Sequence, residues 1–145
     1  MAAQSTSPVA VALPDNVRSF LAVPGRHAVI ATLNPDGTPW QSVIWYLLRG
    51  EDIVVNSRVG RRWPSNVLRD QRVNFAVEEG DDAVTISGVA EIYADGERAR
   101  DDIVEMAWIY YEPELARREI ARFRTEQRIS FVIRARRVYV HGDPR

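Results

Sequence analysis

The chain has 145 residues and a mass of 16.5 kDa, one domain's worth of polypeptide, and its 46% hydrophobic content suffices for a single core. A formal net charge of −1 provides no summed field that would draw nucleic acid or an anionic membrane to the surface. Cysteine is absent, only two histidines occur and all 19 basic residues are arginine, which excludes disulfides, thiolate nucleophiles, iron–sulfur clusters, lysine Schiff bases and the P-loop lysine and leaves little for a His/Cys zinc site.

Residues 1–12 lack a basic start, and Pro8 interrupts their apolar part, so they are expected to form a loose tail rather than a secretion signal, ahead of a single domain over 13–145. No window approaches the roughly 18 apolar residues of a membrane span, and a cytoplasmic protein is expected. Leu13-Pro14-Asp15 opens a short helix with Asp15 as its cap and Val17, Phe20 and Leu21 on one face; Pro24-Gly25 ends it. Residues 27–33 and 39–48 are rich in β-branched and aromatic side chains and flank Asn34-Pro35-Asp36-Gly37, which predicts a hairpin. A third strand at 53–57 would extend it into a meander. Residues 58–68 break the β pattern, and Pro64 suits the first turn of a short helix ending near Asp70. Strands at 73–77 and 83–93 form a second hairpin around the acidic turn 78–82, with Gly88 as a bulge. Helical spacing returns at Ile103, Val104, Ala107, Trp108 and Tyr111, and after Pro113 at Leu115, Ala116, Ile120 and Phe123. Two last strands are expected at 129–133 and 138–140. The fold predicted is mainly β with helical insertions: about seven antiparallel strands in a small closed or nearly closed barrel, since the early connections are too short for parallel crossovers.

The segment 56–66 gathers polar and cationic groups at a strand end ahead of a helix N-terminus. Backbone N–H groups and the guanidinium of Arg61 or Arg62 can converge there on a phosphate, with Ser57 and Asn66 as neutral donors; a solvated basic turn capped by Asn66 fits the same residues. In the segment 40–46, Gln41 and Ser42 could hydrogen-bond the edge of a flat heterocycle between Val43 and Trp45, or could face water in ordinary alternation. Trp108, Tyr110 and Tyr111 suit a pocket wall, a subunit contact or plain core. His27 and His141 carry no partner signal and are expected to be structural. The carboxylates at 78–82 lack calcium-loop spacing.

Residues 31–39 (ATLNPDGTP), 41–46 (QSVIWY), Gly60-Arg61-Arg62 with Asn66, 84–91 (VTISGVAE) and 127–131 (QRISF) together resemble the deazaflavin-dependent branch of the pyridoxamine-phosphate-oxidase-like split β-barrel family. The similarity runs from about Asp15 to His141. It implies an FMN-binding type of split barrel that is homodimeric, with a flavin-like cofactor held across the subunit interface. In this branch the cofactor is coenzyme F-420, an 8-hydroxy-5-deazaflavin with a phosphate and a polyglutamate tail, and absence of lysine suits an actinobacterial genome. Carried over position by position, Asn56, Ser57, Arg58, Arg61, Arg62, Trp63 and Asn66 fall in the phosphate-binding stretch, and Gln41, Ser42 and Val43 in the strand beside the ring. Many relatives have a lysine where this chain has Trp63; Arg61 and Arg62 are the neighbouring cations, and arginine is the better bidentate partner. The implied activity is hydride transfer between the deazaflavin and a small electron-poor acceptor, with no metal, nucleic acid or membrane involved. The alternatives are an FMN oxidoreductase or oxidase of the same fold and a non-catalytic binder of a flavin-like cofactor or a tetrapyrrole.

Overall fold

In the computed structural model, which describes residues 10–145, the hairpin forms where turn chemistry requires it. Strand β1 (Ala28–Leu33) buries Ala28, Ile30 and Thr32 in alternation. The turn after it is closed by the Gly37 amide on the Asn34 carbonyl at 2.9 Å. The Asp36 carboxylate accepts from the Thr38 hydroxyl at 2.6 Å and from its amide at 3.0 Å. Strand β2 (Pro39–Ile44) then pairs with β1, Val43 opposite Val29.

The strand expected to continue to residue 48 stops at Ile44. Trp45 and Tyr46 carry the chain to β3 (Leu47–Arg49), which pairs with β4 (Asp52–Arg58) and not with β2. The expected meander is therefore not formed. With β5 (Arg72–Glu79), β6 (Asp82–Asp95) and β7 (Arg128–His141), the sheet order is β2-β1-β5-β6-β7-β4-β3, antiparallel throughout. Its two edge strands are joined through Trp45 and Tyr46, within about 11 Å of chain. The sheet must curl until its edges meet, which makes a split barrel of seven antiparallel strands.

The two strands expected at 129–133 and 138–140 are one. Residues 129–133 are buried on both faces, whereas the strand beyond 136 is largely exposed. Arg134 sits mid-strand because its guanidinium reaches Asp52 at 3.0 Å and Glu91 at 3.5 Å. Gly88 marks the expected bulge: the β6/β7 register shifts between Ser87 and Gly88, and a Cβ at residue 88 would run into the Arg134 carbonyl oxygen.

Helix α1 (Asp15–Ala22) packs Val17, Phe20 and Leu21 on the barrel. Asp15 is its first residue rather than its cap and makes no capping bond; it pairs with Arg18. Helix α2 (Arg62–Arg69) starts two residues before Pro64, whose missing N–H falls harmlessly in the first turn, and buries Trp63 and Val67. Helices α3 (Gly96–Tyr110) and α4 (Pro113–Phe123) lie outside the barrel. Two cores result. The barrel interior holds Phe20, Ile30, Phe75, Ile86 and Phe131, each stabilising the fold by about 1.5–3 kcal/mol on burial. The second joins Leu47 and Val54 to Ile103, Met106, Ala107 and Phe123 under the helices. Of the expected N-terminal tail, residues 1–9 lie outside the described residues, and the Val11 amide bonds the Ala135 carbonyl at 2.8 Å.

Candidate functional site

Strand alternation aims β4 into both compartments. Ile53 and Val55 enter the barrel core, with Ser57 on the same face, while Val54 and Asn56 turn toward α3. A cleft of about 560 Å³ opens where the compartments meet, between the ends of β2 and β4, the start of α2, the start of β7 and the far ends of α3 and α4. That is within the roughly 300–1,000 Å³ of small-molecule pockets.

Part of its wall is apolar and aromatic. Val43, Ile44, Trp45, Met106 and Tyr111 line it, with Trp45 stacked on Tyr110 at 4.8 Å and meeting Tyr111 edge-on at 4.7 Å. The Tyr110 hydroxyl donates to the Arg26 carbonyl at 2.5 Å and accepts from the Tyr46 amide at 3.2 Å. It is thus tied to backbone at the β2–β3 link, and burial raises its pKa.

The rest is cationic. Arg58, Arg61, Arg62, Arg122 and Arg128 line the cleft against a single carboxylate among the described residues, Glu126, which meets Arg128 at 2.9 Å, Arg122 at 3.0 Å and Arg58 at 3.8 Å. Arg61 and Arg62 make no ion pair among the described residues; Arg62 lies over the Trp40 ring at 4.3 Å. Gly60, at φ +98°, makes the turn that brings the α2 N-terminus, with Arg62 and Trp63, onto the cleft, a backbone angle that side-chain-bearing residues seldom adopt. Arg128 has a 7% exposed side chain, and burial lowers its pKa while Glu126 opposes the shift.

Ser57 carries the most telling atom. Ser57 lines the cleft, and its Oγ is buried with no hydrogen-bond partner among the described residues. Leaving such a group unpaired costs about 1–3 kcal/mol. A hydroxyl without a partner beside five guanidinium groups suits the oxygens of a phosphate, and the aromatic wall suits a flat ring, so the residues present fit a flavin-like cofactor.

Of the residues singled out from sequence, Ser42, Val43, Asn56, Ser57, Arg58, Arg61, Arg62 and Trp63 meet in this cleft. Gln41 and Asn66 do not line it. Gln41 is exposed, two residues before Val43 on β2. Asn66 is buried; it donates to Thr32 and Asn34 at 3.1 Å and accepts from Arg69 at 3.0 Å, pinning α2 to β1 and its turn. Trp63 packs 5.7 Å from the Phe131 ring, leaving the cationic task to its neighbours. His27, expected to be structural, lies on the cleft wall 5.4 Å from the Tyr110 ring, whereas Trp108 is half exposed on the outside of α3. Sequence reading missed Arg122, Glu126 and Arg128. Their signal is the β4/β7 register, which sets Arg58 opposite Arg128, two like charges that need the carboxylate of Glu126 beside them.

A curled antiparallel sheet with an arginine-lined cleft beside its seam defines the split-barrel class of fold. The chain belongs to the pyridoxamine 5'-phosphate oxidase family, whose model matches residues 13–136. Among solved structures it is similar to a conserved hypothetical protein from Mycobacterium tuberculosis, at 26% identity and TM-score 0.71 over 92% of this chain and 87% of that one. An F-420 reductase shares the fold at 19% identity and TM-score 0.68, over 88% and 98% of the two chains. A heme binding protein from Mycobacterium smegmatis matches at 26% identity and TM-score 0.61, over 91% of this chain and 56% of that one. No curated protein matches in sequence. Among the described residues no helix is long and apolar enough to cross a membrane.

Proposed function

We propose that the cleft binds coenzyme F-420 and that the protein is an F-420-dependent oxidoreductase acting on a small electron-poor organic acceptor. The observation that carries this is the meeting, in one cleft, of a partnerless Ser57 hydroxyl, five guanidinium groups and the wall of Trp45 and Tyr111. When bound, the deazaflavin supplies the hydride from its C5. The chain's own residues do the rest. Arg58, Arg61, Arg62 and Ser57 hold the phosphate, Val43 and Trp45 flank the ring, and Ile103 and Met106 exclude water from the reacting face. Tyr111 is better placed than Tyr110 to deliver a proton, because the Tyr110 hydroxyl is spent on the Arg26 carbonyl.

The same reading makes the protein a homodimer. Val43, Val29, Ala76, Thr85 and Tyr139 are cross-strand neighbours in one row on the outer face of the sheet, with Val43 71% and Tyr139 52% exposed. A second copy packed there would reach the rim of the cleft at Val43, which belongs to both surfaces.

Titrating the purified protein separately with coenzyme F-420, FMN and heme tests the reading. Tight binding of F-420, with turnover of its reduced form by added acceptors, is expected. Tight binding of FMN alone would replace the cofactor. A Soret shift on heme addition, abolished in His27→Ala, would favour the tetrapyrrole reading supported by the heme-binding structure and by a histidine on the cleft wall.

A further inference from the structure

A line of buried polar groups runs from the cleft to the opposite side of β4. Arg128 donates from Nε to Asn56 Oδ1 at 3.0 Å and from Nη1 to Glu126 at 2.9 Å; its Nη2 hydrogen-bonds nothing among the described residues, and the side chain lines the cleft. Asn56 Nδ2 donates to the Ala99 carbonyl at 2.9 Å and to Ser130 Oγ at 2.8 Å. Ser130 Oγ donates to Asp102 Oδ2 at 2.6 Å, and Asp102 Oδ1 is held by Arg49 at 2.8 Å. Asn56, Ser130, Asp102 and Arg128 are all buried, and Asp102 is absent from the cleft lining.

The order of donors in this line has only one consistent sense. A serine hydroxyl has one proton; an ionised carboxylate accepts only, so Asp102 takes that proton and leaves Ser130 Oγ to accept from an amide. Asn56 must then present Nδ2 to Ser130, which turns its Oδ1 toward Arg128. Were the amide reversed, an N–H would face the Arg128 Nε–H. We infer that Asp102, outside the cleft, is a positioning residue: through Ser130 and Asn56 it fixes Arg128 as the inner anchor that offers Nη2 to the anionic group of the ligand. The inference rests on the anion-binding reading of the cleft and not on the identity of the ring.

Binding of inorganic pyrophosphate and of coenzyme F-420 to the full chain, measured by calorimetry, tests it. Asp102→Asn and Ser130→Ala are each expected to weaken both probes about tenfold, with Arg128→Lys, which has no Nε–H, at least as harmful. In the Arg128→Lys background, Ser130→Ala is expected to cost less than about twofold more in affinity, while its effect on the melting temperature remains. A purely structural serine would move stability and affinity additively in both backgrounds. Should Asp102→Asn fail to fold because Arg49, left with Glu105 alone, loses its buried carboxylate partner, Ser130→Ala, which deletes one oxygen, carries the same cycle. Unchanged affinities in the single variants, or additive ones in the double, overturn the inference while leaving the cofactor reading intact. Pyrophosphate binding that falls as expected, with no binding of F-420, supports the anchor and removes the cofactor. A parent chain that binds neither probe sinks both.

Discussion

The chemistry of the cleft turns on single guanidinium groups. Arg61 and Arg62 are exposed and have no carboxylate partner among the described residues, so removing either takes away attraction without freeing a buried acid. Arg61→Ala or Arg62→Ala is expected to weaken F-420 binding by roughly 1.5–3 kcal/mol, read by fluorescence titration, with little change in melting temperature. Tyr46 offers a separate test. Its hydroxyl donates to the Leu21 carbonyl at 2.8 Å, and burial is the main cause of its raised pKa. Because the folded pKa lies above the unfolded one, its contribution is fully present below about pH 10 and is lost as pH climbs toward the folded value. Urea midpoints should therefore fall above about pH 10, and Tyr46→Phe should lessen that fall while costing about 0.5–1.5 kcal/mol at neutral pH. The arginines and Ser57 were legible because they cluster within a few residues of one another in sequence. Arg122, Glu126 and Arg128 were not, because nothing local says that β7 starts beside the end of β4. Asn66 misled because an asparagine next to a basic turn looks the same whether its amide faces a ligand or Thr32.

At the level of elements, local patterning foretold every helix among the described residues and the β1–β2 and β5–β6 hairpins, since turn residues and apolar spacing are properties of short windows. It failed where burial comes from another element. Residues 129–133 and 138–140 looked like separate strands because only the first part of β7 is buried, where Ser130 meets Asp102 of α3, and the charged residues between the two parts resemble a break. The stop at Ile44 was equally hidden, as Trp45 and Tyr46 carry strong strand character yet serve to change edges. Gly88 tests the β6/β7 pairing: Gly88→Ala should destabilise the protein by about 1–3 kcal/mol in a urea titration, since the added methyl meets backbone at Arg134 that cannot swing aside.

For the whole molecule, the outer row from Val43 to Tyr139 predicts assembly. The parent should sediment at twice the chain mass, through an interface of roughly 800 Å² per partner, and Tyr139→Glu should yield a monomer. Tyr139 lines no part of the cleft, so weaker F-420 binding by that variant would show that the second copy helps complete the site, whereas equal binding would confine the site to one chain. The split between two cores matters at this scale too, for the cleft exists because α3 and α4 shelter one face of β4 while the barrel claims the other.

Trp45 belongs at once to the two-residue seam that closes the sheet and to the wall of the cleft. Opening the barrel at that seam and dismantling the pocket are therefore one event. Amide hydrogens near residues 44–47 ought to exchange through a local breathing motion in the free protein, and a ligand resting on Trp45 should slow them in proportion to its occupancy. A bound ligand would thereby act as a latch on the fold.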